Sequence, residues 1–319
     1  MCTAISFKTK NHYFGRTLDL EYHYNESVVI TPRNFSFPFS ENHYAIIGIA
    51  TIIDSYPLYY EATNEKGLSV AGLNFPDNAF FHPLSESKIN VAPFEFIPFI
   101  LSQCRNISEA KTLLEKINIA DINFRPDLKA SPLHWMISDK TESITIESVR
   151  DGLKIYENTI GVLTNNPPFD HQITNLANYI NLTAEEPVNR FAPNENICTF
   201  SKGMGAIGLP GDLSSMSRFV RAAFTKENAV CGKSESESVS QFFHILGAVE
   251  HTRGVVHLGD GKYEITVYTS CCNTDKGIFY YTTYENPQIC AVDMHKENLD
   301  SDALIEYPLK NELILNQIN

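Results

Sequence analysis

Apolar and polar positions alternate over residues 2 to 8 and 13 to 19, and the polar break Lys10-Asn11-His12 between them predicts a β-hairpin. A two-residue loop at Lys10-Asn11 sets Cys2 opposite Asp19 and Ile5 opposite Arg16. A loop shifted to Asn11-His12 makes Asp19 a diagonal neighbour of Cys2 instead. Arg16 then reaches Cys2 only through a bend, which Gly15 permits as a bulge. Strand-like runs follow at 28–31, 44–53 and 58–62, then the turn Asn64-Glu65-Lys66-Gly67 and a strand over 68–74 that ends on Asn74.

Residues 93 to 104 read as a helix, with Pro93 in its first turn and a kink at Pro98. Ser108 is placed as the cap of a second helix whose apolar face is Ala110, Leu113, Leu114 and Ile117. Strands return at 133–138, 144–149, 153–157 and 161–164, and Asp170 opens a helix with Ile173, Leu176, Ala177 and Ile180 as its inner face. Residues 181–207 carry no period. Ser215 or Ser217 caps a helix to about Asn228, and Val239, Phe242, Phe243 and Leu246 mark another. Strands over 263–270, 278–284 and 289–294 close the chain. Hairpin-type connections dominate, so the expected class is α+β, with mainly antiparallel sheets covered by helices.

Composition adds bounds. The 319 residues suffice for one large domain or two ordinary ones, and 43% hydrophobic with 11% aromatic residues describes a globular chain. A net charge of −13 argues against nucleic acid or an anionic membrane as partner. There is no charged and apolar leader before residue 30, nor a run approaching the roughly eighteen apolar residues of a membrane span. A cytoplasmic location is expected. Seven cysteines without CxxC spacing fit a reduced protein, and the vicinal pair Cys271-Cys272, placed just after a strand, reads as packing. Ten histidines show no metal-ligand spacing, Cys104 and His134 are only a generic pair, and no Gly-rich nucleotide loop occurs.

Candidate chemistry centres on Cys2. Met1 is commonly trimmed before so small a residue, and trimming leaves Cys2 an α-amine with a pKa of about 7.7–8.0, able to act as base for its own thiol. Arg16 can favour the thiolate and Asp19 can orient Cys2, although by themselves a surface-paired arginine and a solvated acid are the favoured readings. Asn74 and Asn165 are neutral amide donors suited to an oxyanion or to the nucleophile's amine, while Asn165-Asn166-Pro167 by itself reads as a turn. Arg218 sits in a first helical turn, where a cation opposes the helix dipole, and Arg221 reads as the ordinary surface residue one turn on.

Met1-Cys2-Thr3-Ala4-Ile5 and Tyr13-Phe14-Gly15-Arg16-Thr17-Leu18-Asp19 resemble the start of the choloylglycine hydrolase family. Ile30-Thr31-Pro32-Arg33, Ala71-Gly72-Leu73-Asn74-Phe75, Leu163-Thr164-Asn165-Asn166-Pro167, and Gly208-Leu209-Pro210-Gly211-Asp212 with Ser217-Arg218-Phe219-Val220 continue the likeness in that family's order. The resemblance implies one domain over 1–319, a four-layer αββα sandwich of N-terminal nucleophile hydrolase type, with Met1 removed. It implies a conjugated bile salt hydrolase that forms a thioester on Cys2 without a metal or organic cofactor. Arg16, Asp19 and Arg218 would act beside the nucleophile, Asn165 on its amine and Asn74 on the oxyanion. It further implies a homotetramer, built in part by the excursion at 181–207. Leu18, Tyr24 and Tyr59 are expected to wall the apolar substrate pocket. Penicillin V acylase is the alternative with the same chemistry, but tyrosine is typical there at the position of Asn74. A non-catalytic binder of bile acids or lipids is the alternative of another class.

Overall fold

The computed structural model describes residues 1–40 and 42–319. Six strands come first: β1 (Cys2–Lys8), β2 (His12–Leu20), β3 (Ser27–Thr31), β4 (Ile46–Ile53), β5 (Tyr56–Asn64) and β6 (Ser69–Asn74). A short β7 (Ile89–Val91), helices α1 (Phe96–Gln103) and α2 (Ile107–Leu114), and β8 (Ile117–Ile119) follow. The middle of the chain holds β9 (Leu133–Ser138), β10 (Ser143–Val149), β11 (Gly152–Glu157), β12 (Val162–Leu163) and α3 (Phe169–Asn175). Helices α4 (Ser215–Asn228) and α5 (Glu235–Gly247) precede β13 (Val256–Gly259), β14 (Lys262–Asn273), β15 (Ile278–Thr283), β16 (Cys290–Asp293) and β17 (Ile305–Pro308).

Two antiparallel sheets face each other. One runs β12-β1-β2-β14-β15-β16, with β13 on β14, and the other runs β11-β10-β9-β6-β5-β4-β3-β17. Helices α4 and α5 cover the outer face of the first sheet, and α1 and α2 cover that of the second. The result is the four-layer αββα sandwich. β14 is its long spine, because Ile265, Thr266, Val267, Tyr268 and Thr269 are β-branched or aromatic and buried on both faces. Cys271 and Cys272 lie inside that strand rather than after it.

Local chemistry corrects several element details. Asn106, not Ser108, caps α2, accepting from the Glu109 N–H. α1 begins late enough that Pro98 falls in its first turn, where a proline needs no kink. Ser214 holds the N-cap position of α4, which frees Ser215 to turn inward. α3 buries Phe169 and Gln172 rather than the expected apolar face, leaving Ile173 and Ile180 36% and 79% exposed. Gln172 goes in because its amide donates to Thr164 Oγ1, the Asn165 carbonyl and Ser215 Oγ. No helix among the described residues is long and apolar enough to cross a membrane.

Candidate active site

The first hairpin closes through a three-residue loop, Thr9-Lys10-Asn11, so Cys2 pairs with Leu18, Ala4 with Arg16 and Ile5 with Gly15. Neither expected register holds. A shift of one residue exchanges the faces of a strand, and here it puts Cys2, Leu18 and Arg16 together on the face toward the second sheet. Asp19 pairs with Met1 instead, its N–H donating to the Met1 carbonyl, and its side chain lies on the helix-facing side. Arg16 therefore neighbours Cys2 diagonally without any bend. Gly15 is required for a different reason: a Cβ there would stand 2.0 Å from the Ser270 carbonyl oxygen on β14. The bulge lies in β14, between Thr266 and Tyr268.

The backbone of Cys2 is held from several directions. Its N–H donates to Asn165 Oδ1 at 2.9 Å, and its carbonyl accepts from Arg218 Nη1 at 2.5 Å. Arg218 also donates to Thr3 Oγ1 and, at 2.7 Å, to Asn165 Oδ1, so one carboxamide oxygen joins Cys2 to the guanidinium. Asn165 Nδ2 donates to the Asn74 carbonyl at 2.7 Å, and the Asn165 N–H donates to Ser215 Oγ. Asn74 thus enters by its backbone, at the end of β6. Its own side chain is exposed and makes no hydrogen bond among the described residues.

Asp19 is fully buried. Its carboxylate accepts from Thr17 Oγ1 at 3.1 Å and Thr266 Oγ1 at 2.7 Å, with Arg218 Nη1 at 3.9 Å and His251 Nε2 at 3.8 Å. The Met1 ammonium meets the Glu264 carboxylate and the Asp19 carbonyl. Arg16, equally buried, donates from Nε to the Thr17 carbonyl and from Nη1 to the carbonyls of Tyr60 and Gly72. Burial works against the Arg16 charge, but Cys2, Tyr268, Glu61 and Asp19 more than offset it, and its pKa lies above the ordinary arginine value. Burial dominates for Arg218, which is lowered against the pull of Asp19, Cys2 and Glu264. Burial likewise lowers His251 to about 4 and raises Glu264.

Among the expected residues, Cys2, Arg16, Asp19, Asn165 and Arg218 converge on one locus, with the Asn74 backbone joining it. Leu18 is buried opposite Cys2. Tyr24 sits on the exposed rim, and its carbonyl accepts from Thr51, whose hydroxyl also meets Tyr60. Tyr59 does not reach the site. Ile49 pairs with Glu61 and Ala50 with Tyr59, so Tyr60 is an extra, bulged residue that breaks the alternation. Tyr59 is turned into the core under α1, where it bonds Thr31, and Tyr60 packs toward the layer between the sheets. Glu61, Tyr268, Thr17, Ser215 and His251 were not foreseen. A charged residue in an otherwise apolar strand, such as Glu61 beside Tyr59-Tyr60, was the available signal.

Comparison with known proteins agrees with this geometry. The family model for linear amide C–N hydrolases of the choloylglycine hydrolase family matches residues 2–307. The bile salt hydrolase/transferase of Lactiplantibacillus plantarum is 54% identical over 317 residues, covering 98% of each chain. That of Clostridium perfringens is 39% identical over 329 residues, covering 100% of both. A crystal structure of a variant conjugated bile acid hydrolase from Clostridium perfringens superposes with a TM-score of 0.92 at 38% identity, covering 100% of both chains. Penicillin V acylase from Agrobacterium tumefaciens shares the fold at a TM-score of 0.73 and 19% identity, over 96% of this chain and 90% of that one. With the pattern matched from Cys2 onward and the sandwich shared, the chain belongs to the choloylglycine hydrolase family of linear amide C–N hydrolases.

Proposed function

We propose that the protein hydrolyses the amide bond of glycine- or taurine-conjugated bile acids, with Cys2 as nucleophile once Met1 has been removed. The observation that carries this reading is the convergence of Asn165 and Arg218 on the backbone of Cys2 while Arg16 shares the face of its side chain. Removing Met1 makes the Cys2 nitrogen a terminal amine that keeps Asn165 Oδ1 as hydrogen-bond acceptor. The amine takes the thiol proton as Sγ attacks the amide carbonyl carbon. Arg16 and Arg218 favour the thiolate. The Asn74 amide, which makes no other side-chain bond among the described residues, donates to the developing oxyanion. The ammonium then returns its proton to the leaving nitrogen, the C–N bond breaks, and glycine or taurine departs. Water attacks the thioester with the amine again as base, releasing the bile acid and restoring the thiol.

An overall charge of −13 opposes capture of an anionic substrate, so binding rests on apolar contact, with Leu18 beside Cys2, Tyr60 packed toward the layer between the sheets and Tyr24 at the rim, and on local cations. The whole chain acts as one N-terminal nucleophile domain in the cytoplasm. A homotetramer is supported by large apolar side chains left in water along 180–207, including Phe191 and Phe200 at 96% and 87% exposure. Parallel assays on glycocholate, taurocholate and penicillin V test the substrate: bile salt turnover far above penicillin V turnover is expected. The reverse order would move the assignment to the acylase, and binding without turnover would make the protein a carrier.

A further inference from the structure

Glu61 projects from β5 into the layer between the sheets and is 1% exposed. Its Oε2 accepts from the Tyr268 hydroxyl at 2.7 Å and lies 3.7 Å from Arg16 Nε, while Oε1 has no hydrogen-bond partner among the described residues. Tyr268 belongs to β14 of the other sheet and is itself buried. The carboxyl therefore ties the two sheets together where Arg16 crosses from β2 to the carbonyls of Tyr60 and Gly72. A half-satisfied carboxyl in a core is costly, and the hydrolytic steps above make no use of it.

Arg16 is shared between two anions, the Cys2 thiolate diagonal to it on one face and the Glu61 carboxylate at its Nε. A guanidinium stabilises a thiolate through the net field that reaches it, and a carboxylate 3.7 Å away cancels much of that field. We propose that Glu61 is a positioning residue for this reaction: with Tyr268 it fixes the Arg16 guanidinium between the sheets, and its charge sets how strongly Arg16 stabilises the Cys2 thiolate. The proposal rests on the roles given above to Cys2 and Arg16. The other ionisable groups that act on this cluster are Tyr60 of the same strand, Glu26 ahead of β3, and Asp19 on the far side of β2. Burial, acting against Arg16 and Tyr268, pushes Glu61 up to about 7, so its charge changes near neutral pH.

The test is the pH dependence of Cys2 alkylation by iodoacetamide in the processed protein. It is followed by the mass of the N-terminal peptide, so that the less buried Cys198, Cys231 and Cys290 do not contribute. Glu61→Gln keeps the shape and removes the charge, and should lower the midpoint of alkylation by on the order of one pH unit. Tyr268→Phe removes a donor to the carboxylate, raises its pKa, and should shift the midpoint the same way by less. It also stands as the reading variant if Glu61→Gln does not fold. A wild-type midpoint in the folded variants, even with a lowered melting temperature, would overturn the proposal by making Glu61 merely structural, and a raised midpoint would overturn its claim that the Glu61 charge offsets Arg16 at the thiolate. Alkylation needs no bile salt, so absence of glycocholate turnover in the wild type would strike the hydrolase reading while leaving this test intact.

Discussion

Asn74 and Asn165 divide between them what one asparagine cannot do alone. Asn165 spends its oxygen on Cys2 and Arg218 and its nitrogen on the Asn74 carbonyl, so its amide is fully committed to holding the Cys2 backbone. The Asn74 amide has no such commitment. In the proposed oxyanion role its N–H bond to the carbonyl oxygen strengthens only as negative charge develops, so Asn74→Ala should lower kcat by on the order of 10²–10³ with a smaller change in KM. Steady-state kinetics on glycocholate check this, and an unchanged kcat would leave Asn74 a structural strand end. Cys2, Arg16 and Arg218 were legible because their types and motif spacing survive in one dimension. Glu61 and His251 were not, since their significance lies in partners about two hundred residues away, Tyr268 for the one and Asp19 for the other.

The hairpin of β1 and β2 shows why residue types were legible while their arrangement was not. Alternation identified both strands, but it cannot count loop residues, and one residue more in the turn moved Asp19 to the opposite face and brought Arg16 to Cys2. The bulge at Tyr60 did the same to Tyr59. The helix-facing side of that sheet also carries Thr3, Thr17, Thr269 and Thr282 in register across β1, β2, β14 and β15, a polar row invisible until the strands are paired. Gly15 holds this arrangement by letting β14 approach. Gly15→Ala would force the Ser270 backbone away, and is expected to cost roughly 1–3 kcal/mol or more. The urea midpoint should fall and kcat with it, because β2 carries both Arg16 and Asp19. A variant of wild-type stability would mean that the two strands can separate without loss.

Helix α4 was legible from its serine cap and α5 from apolar spacing, whereas α3 was legible as a helix but not in its buried face, because Gln172 is anchored by hydrogen bonds rather than by hydrophobicity. The assembled sandwich buries titratable groups whose pKa values set its pH response. His12 is buried among Ser6, Ser138 and Thr274, and burial, partly offset by Asp275 and Asp139, lowers it to about 4 from 6.5. Since the unfolded chain takes up that proton first, the stability His12 supports is present above about pH 6.5 and lost as pH falls toward 4, a loss of up to roughly 3 kcal/mol. His251 acts with the same sign. Glu61 acts with the opposite sign, its contribution being full below about 4.5 and lost as pH rises through 7. His12→Gln should therefore show a smaller drop in urea midpoint between pH 7 and 4.5 than the wild type. An equal drop would mean that His12 is not held neutral. For the proposed tetramer, replacing Phe191 and Phe200 together by serine should reduce the mass measured by light scattering relative to the wild type, and an unchanged mass would remove the 180–207 segment from any interface.

The thiol and its base residing in one residue is the central claim, and it depends on a free amine at Cys2. Its most direct test compares glycocholate hydrolysis by two purified forms of known intact mass, one beginning at Cys2 and one carrying an N-terminal extension that cannot be removed. The amide nitrogen of the extended form has no lone pair able to take a proton near neutral pH, so turnover is expected from the form beginning at Cys2 and none above background from the extended one. Full turnover by the extended form would contradict the mechanism and require a separate base.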